Sequence, residues 1–273
     1  MTISQSGTRF IDSGAHPGTQ LCVVLGHGVG LDLTMWNAQA DALAAHCRVV
    51  RYDMLGHGQT PALAGRAELA DYCQQLGDLI QELRLQRVVL VGFSMGGVIA
   101  QRFAADHADL IAGVVLMSTV YRRTDAELQG VQKRLRLTER DGPDGIVEHA
   151  VERWFPEQFQ HEHPDAIGWI RETLGANDAR GYTDAYRVFV QADTVVGDAL
   201  TNVKCPAMVI TGGDDVGSTP AIAERMCADL DNAELHVLPE LRHMVTMQAP
   251  DTVNALLLTF IQRVQAADSE THS

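Results

Sequence analysis

Residues 87–103 read Arg87-Val88-Val89-Leu90-Val91-Gly92-Phe93-Ser94-Met95-Gly96-Gly97-Val98-Ile99-Ala100-Gln101-Arg102-Phe103. The β-branched, uncharged run at 88–91 has the composition of a strand buried on both faces, and the spacing predicts a strand over 87–91. The apolar residues after Gly97 recur at helical spacing and predict a helix over 97–107. Between them lies a G-x-S-x-G motif, Gly92-Phe93-Ser94-Met95-Gly96. A turn this tight between a strand and a helix holds its serine in a strained backbone conformation, and the flanking glycines remove side chains that would collide with it. Ser94 is therefore the candidate nucleophile, standing at the carboxyl end of the strand, where open α/β sheets bind ligands. The helix start adds free N–H groups, and the N–H of Met95 is a candidate donor to an oxyanion.

The same alternation extends in both directions. Towards the N-terminus, strands are expected at 8–12, 21–25 and 49–52 and helices at 35–45 and 68–83, with a turn-rich run over 13–18. Downstream, 112–117 reads as a strand, 207–211 as a strand, 220–230 as a helix, 233–238 as a strand and 250–264 as a helix. Strands separated by helices of this length imply parallel pairing through crossovers. The pattern breaks between about 121 and 199, where the chain is more charged, carries Trp154 and Trp169, and reads as helical. The expected organisation is a core of residues 1–120 and 200–273 interrupted by a helical cap over 121–199. No internal repeat or low-complexity tract is evident.

Gly26-His27-Gly28-Val29-Gly30 follows the strand at 21–25, and its glycines let backbone approach a bound carbonyl. Val29 N–H is the candidate second oxyanion donor, with its loop neighbours as alternatives. His27 reads better as packing and hydrogen-bonding beneath this loop than as a base. A serine needs a base, and the base an orienting acid; in this class of sheet the chain order is Ser, Asp or Glu, His. The strand at 207–211 leads into Gly212-Gly213-Asp214-Asp215, so Asp215 is the preferred acid and Asp214 the alternative. His243 follows the strand at 233–238 and is the candidate base. His236 lies inside that strand, His107 and His149 fall on helices, and His57 precedes the serine in the chain.

Taken together, Gly26–Gly30, Met35-Trp36, Arg51-Tyr52-Asp53 with Gly56-His57-Gly58, the 92–97 elbow, the 212–220 loop and His243 resemble the α/β-hydrolase superfamily. Within it, the chain is similar to the 3-oxoadipate enol-lactonase group and its cofactor-free haloperoxidase-like esterase relatives. The likeness rests on 31–52, on Arg153-Trp154-Phe155, and on Gly181-Tyr182, Asp193 and the approach to Pro206. The resemblance implies an α/β fold with a mostly parallel sheet flanked by helices. It also implies a Ser94-Asp215-His243 triad, an oxyanion hole at Val29 and Met95, no cofactor and a helical cap. Two stretches depart from the group, Ser118 to Arg123 and the Leu241-Arg242 pair before the base, and these bear on the substrate. Relatives acting as dehalogenases or epoxide hydrolases use an aspartate where this chain has Ser94.

The expected activity is hydrolysis of a small ester or lactone, such as an enol-lactone, through an acyl-enzyme. A perhydrolase, a C–C bond hydrolase or a non-catalytic receptor on the same fold are the alternatives. Net charge is −14, which argues against nucleic acid and anionic lipid as partners. The expected partner is a small ester or lactone, and a homo-oligomer is compatible with the sequence. Cys22, Cys47, Cys73, Cys205 and Cys227 are odd in number and widely spaced, and read as reduced, mostly buried small hydrophobes. The first seven residues lack the pattern of a signal peptide and no stretch is long enough to span a membrane, so the cytoplasm is the expected setting. His161 and His163 have H-x-H spacing without a further ligand, and no metal is expected. Lys133, Arg134 and Arg136 read as a charged helix face, with recognition of a substrate carboxylate as the alternative. Trp154 reads equally as lining the pocket and as pinning the cap.

Overall fold

The computed structural model describes residues 2–17 and 19–271, with side chains through residue 267. Met1 and Gly18, which belong to segments read above, lie outside the described residues. Eight strands form one sheet: β1 (Thr2–Ile3), β2 (Arg9–Asp12), β3 (Leu21–Gly26), β4 (Arg48–Tyr52), β5 (Arg87–Phe93), β6 (Ile111–Met117), β7 (Ala207–Gly212) and β8 (Ala233–Leu238). Their order is β1-β2-β4-β3-β5-β6-β7-β8. β1 and β2 are antiparallel additions at one edge, and every other pairing is parallel. β3, β5, β6 and β7 are apolar and buried almost throughout, as strands covered by helices on both faces must be.

The helices are α1 (Asn37–Leu43), α2 (Leu69–Glu82), α3 (Met95–Asp106), α4 (Asp125–Asp141), α5 (Val147–Trp154), α6 (Glu157–Glu162), α7 (Pro164–Gly175), α8 (Ala179–Val190), α9 (Ala192–Val196), α10 (Pro220–Asp229), α11 (Val245–Gln248) and α12 (Pro250–Thr271). α2 buries Leu69, Tyr72, Leu76, Leu79 and Ile80, one face at helical spacing. α10 starts at Pro220, behind Thr219, whose hydroxyl accepts the N–H of Ile222. Residues from α4 through α9 enter between β6 and β7 and are helical.

Several boundaries differ from the sequence expectation: the last helix, read over 250–264, runs Pro250–Thr271, β5 extends to Phe93, and two differences lie near the functional loops. The helix read over 35–45 is a 3₁₀ turn, Leu33–Trp36, followed by the short α1. The turn is set by Asp32, whose carboxylate caps Thr34 N–H at 2.8 Å, and by Asp53, which accepts Leu33 N–H at 2.8 Å. The helix expected from Gly97 begins at Met95, because Ser94 itself is the residue before the helix. Among the described residues no helix is long and apolar enough to cross a membrane.

The register places the functional loops. Gly26 of β3 pairs with Gly92 of β5, Phe93 with Met117 of β6, and Gly212 of β7 with Leu238 of β8. These carboxyl ends form one rim. The loops holding Val29, Ser94, Asp215 and His243 all leave from it. From β3 the sheet grows to β4 on one side and to β5 on the other, so the rim at β3 and β5 is a topological switch point.

Candidate functional site

Ser94 has φ 51° and ψ −111°, a backbone conformation costing about 1–3 kcal/mol for a residue with a Cβ. Its surroundings impose that conformation. Ser94 N–H donates to Met117 O at 2.9 Å, which ties the turn to β6. Ser94 O accepts from the N–H groups of Gly97 and Val98 and from Thr119 Oγ1 at 2.6 Å. Gly96 lets the helix start press on β3: a Cβ there would lie 2.3 Å from Gly26 O. Gly96 N–H donates to His27 O at 3.0 Å, coupling the elbow to the 27–30 loop.

That loop lies against the serine. A Cβ on Gly28 would sit 3.2 Å from Ser94 Cβ. Neither Val29 N–H nor Met95 N–H has an acceptor among the described residues, and Val29 lines the same cavity as Ser94. His27 lies wholly buried beneath the loop. Its Nε2 accepts Met54 N–H at 2.9 Å, so its Nδ1–H donates to Gly28 O at 2.8 Å. Burial pushes its pKa down, and the neutral ring props the loop. Asp53, fully buried, accepts from Leu33 N, Gln59 N and Arg9 NH1 and knits the neighbouring loops together.

His243 Nδ1–H donates to Asp215 Oδ2 at 2.7 Å. The other carboxylate oxygen accepts Gly217 N–H at 2.8 Å and Ser218 N–H at 3.0 Å. Burial alone would raise the pKa of Asp215; the charge and hydrogen bond of His243 and the two backbone donors outweigh it and hold the carboxyl below its ordinary value. Asp214 is exposed and its N–H is tied to Leu241 O, so between the two neighbours the structure brings Asp215 to the histidine. The His243 ring is held between Phe93, 5.0 Å away, and Trp154, which stacks on it at 5.7 Å.

Ser94, His243, Val29 and Trp154 line one cavity of about 150 Å³, closed over by α4, α5 and α8. Trp154 lines this cavity. Its ring covers His243, while its carbonyl accepts Gln248 Nε2–H at 3.2 Å. Its indole N–H is buried with no partner among the described residues. Arg242 reaches from the loop before His243 to the end of α5, donating to Glu152 O at 2.6 Å and Phe155 O at 3.2 Å.

The charged run of α4 divides. Arg134 lines this cavity, Lys133 lines an adjoining one, and Arg136 is exposed. Sequence reasoning assigned no site role to Arg123, Arg153, Tyr182 or Tyr186, which also line the cavity. The signal was present in the spacing: Ala126, Gly130 and Arg134 recur every four residues on α4, and Tyr182, Tyr186 and Phe189 follow one another at steps of four and three on α8. A larger groove of about 670 Å³ runs along α2 and α3 past Arg102 and His107, away from these residues. Among the described residues no group of three His, Cys, Asp or Glu side chains is placed to hold a metal ion; His163 packs its ring 4.3 Å from that of Phe159. Cys22 and Cys47 are buried, and the other three cysteines are half-buried and unpaired.

An eight-stranded, mostly parallel sheet with a serine on a strained strand-to-helix elbow defines the α/β-hydrolase class. The chain matches the Alpha/beta hydrolase family over residues 23–256 and belongs to it. It is similar to the (E)-2-((N-methylformamido)methylene)succinate hydrolase of Acinetobacter baylyi, with 33% identity over 88% of this chain and 90% of that protein. The 3-oxoadipate enol-lactonase 2 of the same organism is 25% identical over 88% of both chains. Among solved structures, the enol-lactonase of Burkholderia xenovorans LB400 superposes with a TM-score of 0.85 at 26% identity, covering 93% of this chain and 96% of that one. A malate-bound thermophilic esterase from Thermogutta terrifontis reaches 0.84 at 28% identity, covering 96% of each. The resemblance to enol-lactonases drawn from the sequence is thus matched by both kinds of comparison.

Proposed function

We propose that the protein is a serine hydrolase that cleaves a small ester or lactone through an acyl-enzyme. Ser94 Oγ attacks the carbonyl carbon while His243 Nε2 takes its proton. Asp215 holds the opposite ring N–H and stabilises the imidazolium that forms. The carbonyl oxygen becomes an oxyanion facing the N–H groups of Val29 and Met95. His243 then returns the proton to the leaving alcohol or enol as the C–O bond breaks. Water, deprotonated by His243, attacks the acyl carbon and releases the acid and Ser94. The helices of 121–199 act as the cap that closes this chamber over core segments 1–120 and 200–273.

The observation that carries this reading is the 2.7 Å hydrogen bond from His243 Nδ1–H to a buried carboxylate, in the cavity that also holds Ser94. That bond leaves Nε2 unprotonated and able to accept. The similarity to two proteins named 3-oxoadipate enol-lactonase supports a lactone or enol ester. A second reading, cleavage of an amide-type carbonyl by the same groups, is favoured by the relative named for an N-methylformamido succinate.

The test is steady-state turnover of a panel of aryl esters, an enol-lactone and a formamido-type amide. Wild type should hydrolyse at least one class, and Ser94→Ala should reduce that kcat by about 10⁴-fold or more. Retention of most of the turnover in Ser94→Ala would overturn the mechanism.

A further inference from the structure

The cavity at Ser94 does not stand alone. A second cavity of about 340 Å³ lies within the helical insertion and shares Gly130, Arg134, Arg153, Tyr182 and Tyr186 with the first. Arg134 and Arg153 therefore stand in the partition between the two.

The charges around them can be paired off. Arg123 is committed to Asp193 at 2.8 Å and to the carbonyls of Phe189 and Val190. Glu127 is held by Arg225 through both carboxylate oxygens, at 2.9 and 2.7 Å. Asp215 is held by His243. Two cations remain. Arg134 uses its Nε–H on the hydroxyl of Tyr186, at 3.0 Å, and forms no ion pair among the described residues. Arg153 has neither a hydrogen bond nor an ion pair among the described residues; its guanidinium lies 5.9 Å from the centre of the Trp154 ring. The second cavity adds Lys133 and His149 to its lining and no acidic side chain.

Two guanidinium groups that share a cavity wall, neither of them in an ion pair among the described residues, are an unfavourable arrangement in an empty protein. Burial lowers the pKa of Arg153, and the positive charge of Arg134 adds to that effect, opposed by Tyr186, Tyr182 and the more distant charge of Asp215. The arrangement is also at odds with the chain as a whole, whose net charge is −14. An anion between the two groups removes the conflict. A carboxylate suits the planar fork of each guanidinium, and in a partly dehydrated cavity such charge-assisted bonds are strong.

We propose that Arg134 and Arg153 form a carboxylate-binding subsite beside Ser94, so that the protein selects acyl compounds bearing a carboxylate remote from the scissile carbonyl. This rests on the serine-hydrolase reading. The second cavity accommodates the far end of such a substrate, and Lys133 and His149 extend the positive lining there.

The test compares mono-4-nitrophenyl adipate, which is anionic, with 4-nitrophenyl hexanoate, its neutral counterpart. The quantity read is the ratio of their kcat/KM values. Wild type should favour the anion, and Arg153→Met should reduce the ratio by about 30-fold or more, the usual penalty for losing one partner of a buried charged pair. Arg134→Met should reduce it in the same direction, and Arg153→Lys should restore part of it. A ratio that stays within about threefold of wild type in both Met variants would overturn the subsite. Calorimetric binding of adipate to Ser94→Ala gives an independent readout: it should weaken with added salt and disappear in Ser94→Ala/Arg153→Met. Binding unchanged by the second substitution, or no binding to Ser94→Ala, contradicts the proposal. If both esters are cleaved equally well, the hydrolase reading stands and the subsite falls. If neither is cleaved but adipate binds through Arg153, the subsite stands and the ester chemistry falls.

Discussion

Asp215→Asn is a nearly isosteric change whose consequence follows from the hydrogen bonds around one side chain. The carboxylate makes three of them, accepting from Gly217 N–H and Ser218 N–H on one oxygen and from His243 Nδ1–H on the other. An asparagine has one oxygen and one NH₂. Turning the NH₂ towards Gly217 and Ser218 would oppose it to two fixed donors in a buried loop, at about 1–3 kcal/mol for each donor left unsatisfied. The oxygen therefore stays on the loop, and the NH₂ faces His243. His243 Nδ1 must then accept, and the ring proton moves to Nε2. In that tautomer the histidine presents a donor to Ser94 and has no lone pair to take its proton. The expected loss in kcat is about 10⁴-fold, equivalent to about 5.5 kcal/mol of transition-state stabilisation. The assay is turnover of whichever ester wild type cleaves, with circular dichroism to show that the fold persists. A loss of less than about tenfold would refute the role given to Asp215.

Other consequences are equally direct. Arg242→Ala removes the donor to Glu152 O and Phe155 O at the end of α5; amide exchange over residues 147–155 should rise while exchange in β5 and β6 does not, and KM should increase. Gly96→Ala places a Cβ 2.3 Å from a backbone oxygen of β3, so thermal unfolding should show a loss of about 3 kcal/mol or more, a drop in Tm of about 6–12 °C. His57 is buried, donates through Nδ1–H to Leu55 O at 3.0 Å, and is pushed by burial down to about 3. Its folded pKa is below the unfolded one, so between these values the unfolded chain holds the extra proton. Stability is then complete above about pH 6.5 and falls as pH drops, by about 1.4 kcal/mol per pH unit for this group. Urea unfolding of His57→Asn between pH 6.5 and 5 should show a slope shallower than wild type by that amount; an unchanged slope would contradict it.

The core was legible because its strands are covered on both faces. β3, β5, β6 and β7 contain no charged residue after their first positions, and a run such as Val88 to Val91 admits few other readings. The chain order of Ser94, Asp215 and His243 was legible for the same reason, since each residue follows a strand whose end could be read. The choice between Asp214 and Asp215 was not, because it depends on how the loop turns after Gly213, whose N–H binds Leu238 O. Helix starts were misplaced where tertiary contacts override local preference. Met95-Gly96-Gly97 is a poor helix opening by composition, yet the contact of Gly96 with β3 and the hydrogen bonds to Ser94 O fix it. The insertion was the least readable part. Its cavity-lining positions on α4 are Ala126, Glu127, Gly130, Val131 and Arg134, with Val131 the one large apolar residue among them, so hydrophobic periodicity is weak there. That Arg153 has no ion pair among the described residues is a fact about packing between α4, α5 and α8, and no single segment encodes it.

The central claim is that Ser94 is the nucleophile, and a fluorophosphonate probe tests it most directly. Incubation of wild type should add one phosphonyl group, found by peptide mapping on the segment containing Ser94, and Asp215→Asn should label far more slowly. Ser94→Ala should remain unmodified. Equal labelling of wild type and Ser94→Ala, or a label mapped to another residue, would contradict the account.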